Sequence, residues 1–185
     1  ILYCIIALIP VVMSISINKF EREYWFIVWM VSLSLLFSVA LSKKYVIGGD
    51  AHIEYYFANI VRVSGIWDPQ ISSTHNSLLR VVILHPVYSV LLNMSLTDVF
   101  RVIHPLLYSL TPVTLYIAFS KQFDEKIAFY SVMFFMFMHT FFVKLSLNTR
   151  TGIAEFFLAL FILALCNKKC DERLKVLMVI FILSI

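Results

Sequence analysis

The stretch "GGDAHIEYYFANIVRVSGIWDP", residues 48–69, decides how this chain is read. It gathers Asp50, His52 and Glu54 directly after a long apolar run, in a sequence with few charges elsewhere. Of the 185 residues, 61% are hydrophobic and only 14% charged, and the mean hydropathy is +0.90. Soluble domains lie nearer half apolar and a quarter charged, and no soluble core of this size could bury so much apolar side chain. The composition implies an all-α, polytopic membrane protein, in which a polar cluster needs a reason.

Working outward from that cluster, apolar runs suited to crossing a bilayer, which takes about 20 residues, are expected at about 1–17, 25–42, 102–120, 127–145, 150–167 and 176–185. The first and last runs stop at the ends of the sequence, which reads as the N-terminal part of one larger transmembrane domain. Ile1–Ile17 has the length of a signal-peptide core, but "NKFERE" follows it instead of a small-residue cleavage site, so a span is expected. Val81–Met94 is apolar but short, and it carries His85–Pro86 in its middle, which suits a re-entrant or surface helix.

Charge sets the direction. If Val81–Met94 does not cross, three short loops share one side and bring together Lys19, Arg22, Lys121, Lys126, Lys168, Lys169, Arg173 and Lys175. The short loop opposite, "SLNTRTG", holds Arg150 alone. Basic residues in short loops mark the cytoplasmic side. Residues 43–98 are therefore expected as one extracytoplasmic loop of a multi-pass cell-membrane protein, with Asp50 facing outward. The net charge of +4 is accounted for by these orientation signals and implies no nucleic-acid partner.

Within that loop, Ile53, Tyr56, Phe57 and Ile60 recur at helical spacing, while His52, Tyr55, Asn59 and Arg62 share another face. The pattern predicts an amphipathic helix lying on membrane lipid, ended by Ser64–Gly65 and "WDP", with Trp67 as an interface anchor. A second surface helix, broken at Pro86, is expected over about 78–94.

Two roles are open to Asp50. It follows Gly48–Gly49, which permit a tight turn, so it either caps the amphipathic helix or acts as a general base with Glu54 one turn on as its partner. Two carboxylates so spaced could also take a divalent cation, Mg or Mn; no other cofactor is implied. Further along, the clean apolar run Ile153–Cys166 gives only about 21 Å of helix. To cross about 30 Å the helix has to begin near Thr149, with Arg150 and Glu155 in its first turns. Those two either pair with each other or line an outward cavity, where Arg150 and the helix N-terminus receive an anion. Lys144 is a second cation near that end. His52, Arg80 and His85 lie on the outer loop, within reach of the same cavity, whereas His104 and His139 suit hydrogen bonds between helices. Cys4, Cys166 and Cys170 form neither a disulfide framework nor a metal pattern, and there is no GxGxxG, P-loop or GxSxG motif.

This layout resembles the GT-C superfamily of membrane glycosyltransferases: a span, a long outer loop opening on an acidic motif with two surface helices, two further spans, and a short polar outer loop leading into the next. The phrases "NSLLRVVILHPVYSVLLN" and "RTGIAEFFLALFILAL" are similar to an uncharacterised archaeal multipass family in that superfamily, and the resemblance covers residues 25–185. It implies transfer of a sugar, with inversion, from a polyprenyl- or dolichyl-phosphate-linked donor to a protein, glycan or lipid acceptor on the extracytoplasmic face. Asp50 would be the base, and Glu54, His52, Arg80, His85, Arg150 and Glu155 would be substrate-binding. The chain departs from the pattern in one respect: many members have two adjacent acids or DxD, whereas Asp50 is followed by Ala51. A multipass transporter and a non-catalytic membrane scaffold are the rival readings.

Overall fold

In the computed structural model the described residues are 23–167 other than 43 and 47, together with residues 8, 173 and 176. The expected spans at 1–17 and 176–185 and most of the first and last basic loops lie outside them. The described residues are helical with no strand.

α1 (Tyr24–Ala40) is apolar on every side. It buries Tyr24, Val28, Val31, Leu35 and Leu36 and leaves Trp25, Phe26 and Met30 exposed. A helix greasy all round is either buried or surrounded by lipid. With 17 residues it is about 26 Å long, a little under the hydrocarbon thickness. α2 (Gly49–Ser64) and α3 (Leu79–Leu91) lie in the segment expected as the extracytoplasmic loop and pack on each other. α4 (Leu96–Ser120) and α7 (Thr149–Cys166) are long and apolar enough to cross a membrane. α5 (Glu125–Phe137) and α6 (Thr140–Leu147) supply a third crossing if the bent pair is one span.

Five expectations change in detail. α4 starts at Leu96 instead of 102, because "SLTD" is a capping sequence: Ser95 Oγ accepts from the Asp98 N–H at 3.1 Å and donates to Asp98 Oδ2 at 2.6 Å. α3 runs unbroken through Pro86, since Val81, Val82, His85, Pro86 and Ser89 are all buried and that packing holds the helix together. The expected span over 127–145 is broken: Met138 is extended (φ −66°, ψ 129°), and α6 leaves α5 at 60°. The amphipathic helix ends where expected, with Gly65 in the left-handed region at φ 71°. Of its apolar stripe, however, only Phe57 turns inward, while Ile53 and Tyr56 are exposed together with Val63. Trp67 is tied into the loop itself, its indole N–H donating to the Asn76 carbonyl at 3.1 Å.

The core lies among α1, α4, α5 and α7. Tyr24 stacks on Phe129 at 4.6 Å, and the Trp29 indole N–H reaches Ser109 Oγ at 3.0 Å. α4 crosses α7 where Gly152 faces the Tyr108 ring: a Cβ on Gly152 would fall 2.4 Å from ring carbon Cε2. Tyr108 is fully buried and its hydroxyl donates to the Thr149 carbonyl at 2.7 Å, so the ring cannot swing aside. Gly152→Ala should therefore cost about 1–3 kcal/mol through overpacking. Its thermal midpoint in detergent is expected to fall by about 2–12 °C; an unchanged midpoint would mean that α4 and α7 slide apart freely.

Candidate functional site

The N-termini of α2 and α7 and the C-terminus of α6 meet in one joint. Gly48 precedes α2 with φ 109°, and a Cβ there would fall 2.7 Å from the Leu147 carbonyl oxygen. Only glycine satisfies both the positive φ and the close approach. The bend between α5 and α6 is what brings Leu147 to this place; α6 is held against α1 by Ser146, whose hydroxyl lies 3.2 Å from the Leu36 carbonyl. Asn148 then turns the chain in an extended conformation, and α7 begins at Thr149.

On this joint Asp50 Oδ2 lies 3.9 Å from Arg150 Nη2, each side chain about half exposed. Arg150 thus pairs with Asp50, and Glu155 has no part in the contact. Glu54, one turn along α2 and only 1% exposed, is buried against the start of α7 beside Thr149 and Arg150. Asn148 makes no side-chain cap to α7. Glu54 Oε2 stays buried without a hydrogen bond. Burial raises the Glu54 pKa above its ordinary 4.5; the Thr149 hydroxyl and the Arg150 charge pull it down, nearby Asp50 pushes it up, and the Arg150 N–H lowers it.

The remaining candidates sit elsewhere. His52 is exposed on α2. Arg80 is in the first turn of α3, its side chain outside the described set. His85 is fully buried, stacked on Phe100 at 4.0 Å and 4.3 Å from the His104 ring, with Nδ1 bonded to the Val81 carbonyl. Burial lowers its pKa to about 4, so the ring is neutral near pH 7. Glu155 lies deeper along α7 on a different groove, and Lys144 is exposed. His139 is exposed at the break between α5 and α6, and its ring meets Phe142 instead of bonding another helix.

Sequence reading missed Thr149, Tyr108 and Gly152. His104 Nδ1 lies 3.0 Å from the Tyr108 hydroxyl. That hydroxyl gives its one proton to Thr149, so the histidine nitrogen is the donor. The signal was the i,i+4 spacing of His104 and Tyr108 in "HPLLY". Beneath the joint is a cavity of about 20 Å³ bordered by Ala51, His104, Ser146 and Thr149. It has room for about one water.

A divalent cation does not fit this set: no three His, Cys, Asp or Glu side chains converge among the described residues, and a guanidinium stands where a metal beside Asp50 would go. The arrangement instead offers an exposed carboxylate next to a cation and a helix N-terminus. Neither a protein-family model, nor a curated protein, nor a solved structure matches this chain.

Because burial favours the protonated form of Glu54, the folded chain holds that proton more tightly than the unfolded chain. The stabilisation is complete below 4.5 and is lost as pH rises through the raised value. Glu54→Gln keeps the shape without the charge. Wild type should lose thermal stability relative to this variant as pH climbs from 4.5; a gap that does not change with pH would contradict the burial argument.

Proposed function

We propose that this chain belongs to an extracytoplasmic membrane glycosyltransferase of the GT-C type, which moves a sugar from a polyprenyl- or dolichyl-phosphate donor to an acceptor with inversion. The observation that carries this reading is the contact of Asp50 with Arg150 at 3.9 Å, between residues a hundred apart in sequence. A group able to take a proton and a group able to take a phosphate stand side by side on the outer loops. Half-exposed pairs of this kind are worth about 0–1 kcal/mol, so a phosphate readily takes the place of the Asp50 carboxylate beside Arg150.

The acceptor hydroxyl then gives its proton to Asp50, and its oxygen attacks the anomeric carbon. Once the phosphate binds Arg150 the Asp50 carboxylate has to swing clear of it, so that the carbon–oxygen bond to the lipid phosphate breaks on the face opposite the attack and its electron pair leaves with the phosphate. Arg150 and the start of α7 stabilise the charge that grows there. Glu54 holds α7 in place from α2. The exposed Ile53, Tyr56 and Val63 support a helix resting on lipid, which keeps Asp50 at the level of the donor headgroup. Lys121 and Lys126, in the loop after α4, would lie on the cytoplasmic side.

Asp50→Asn in the full-length protein should reduce sugar transfer by about 100- to 10,000-fold while donor binding persists. Arg150→Gln should raise the donor concentration required and slow transfer, and Arg150→Lys should recover only part because the planar fork is lost. Glu54→Gln should weaken transfer more than His52→Gln. Turnover within a few-fold of wild type for Asp50→Asn would leave the pair as a strut in a non-catalytic protein. The orientation is checked separately: a membrane-impermeant thiol reagent applied outside should label a cysteine at Ser73 and not one at Gln122, and labelling at Gln122 would reverse it.

A further inference from the structure

A second polar place lies on the face of the bundle between α4, α5 and α7. The groove encloses about 260 Å³ and is lined by Leu115, Phe135, Leu158, Ala159 and Ile162, together with Thr111 and Glu155. Glu155 makes no ion pair or hydrogen bond among the described residues. Thr111 is 1% exposed, and its hydroxyl has no partner. Ser32 on α1 shares this state, whereas Ser34, Ser109, Thr114, Ser120, Ser131 and Ser146 each return their hydroxyl to a carbonyl of their own helix.

Glu155 comes six residues after the start of α7, so it lies about 9 Å into the span. An ionisable group at that depth is costly without a partner. None of the three helices provides one, since residues 105–120 of α4 and 127–137 of α5 contain no lysine, arginine or histidine, and Arg150 on α7 is engaged with Asp50.

We propose that this groove seats a partner membrane helix that carries a lysine or arginine at the depth of Glu155. The charge is complementary, and the long methylene stem of such a residue lies along Leu158 and Ile162 while its head meets Glu155. Ala159 at the groove lets the partner backbone approach closely, as small residues do between membrane helices. A lipid tail would fill the apolar part but leave Glu155 unpaired. The proposal stands apart from the transferase reading: it requires only that α7 crosses the membrane.

The test uses the full-length protein in phosphatidylcholine nanodiscs and three synthetic leucine-rich helices of about 20 residues. One carries a single lysine a third of the way along, one carries it at the midpoint, and one carries none. Energy transfer from a labelled protein reports association. The first helix should bind most tightly, Glu155→Gln should weaken it by about 3- to 30-fold, and Thr111→Val should weaken it less. The comparison among helices on the unaltered protein needs no variant to fold. Equal binding of all three, insensitivity to Glu155→Gln, or no binding because lipid or the chain's own 176–185 run fills the groove would each overturn the proposal.

Discussion

The arrangement of α2, α6 and α7 depends on the contact between the bare Cα of Gly48 and the carbonyl of Leu147. Any larger residue at 48 would push α2 away from α6. Asp50 and Glu54 would then lose Arg150 and Thr149, since all four groups are registered from that one approach. The contact exists because α5 and α6 do not form a straight helix. The 60° bend at Met138 carries α6 back over α1 and sets the start of α7 beside the start of α2. The break and the glycine are therefore two halves of one device.

Glu54 illustrates how burial and hydrogen bonding divide the work of two neighbouring acids. Asp50 stays half exposed, where water supports its charge, and meets a cation at the rim. Glu54 turns inward and packs against the start of another helix. One turn of α2 separates them, and that turn is enough to give one carboxyl chemistry at the surface and the other a structural duty. The buried stack of His85, Phe100 and His104 likewise serves packing, holding α3 to the start of α4.

Much of this was legible in the residues. The start of α7 at Thr149 follows from a length argument, because a 14-residue apolar run cannot cross a bilayer. The end of α2 follows from Ser64–Gly65, and Asp50, Glu54 and Arg150 were singled out as polar groups at the outer ends of apolar runs. What pattern could not supply was pairing. Arg150 had Glu155 five residues away in sequence and Asp50 a hundred away, and the fold selected the distant acid. The bend at Met138 carries no proline or glycine, and Pro86, which does look like a breaker, sits in an intact helix. In both places tertiary packing overrides the local signal. The early start of α4 was readable in "SLTD", since a serine three residues ahead of an aspartate caps a helix whether or not the first residues are apolar.

The joint also sets an order of events during synthesis. Gly48, Asp50 and Glu54 leave the ribosome about a hundred residues ahead of Leu147, Thr149 and Arg150. At roughly 5–20 residues per second, that is a wait of about 5–20 s. For that interval α2 has no anchor at its polar end, and Glu54 has no helix start to pack against. The hairpin of α2 and α3 is then held by its own packing, and it settles once α6 and α7 have been made. Contacts of such long range close late in folding, so the site is among the last parts of this half of the molecule to form.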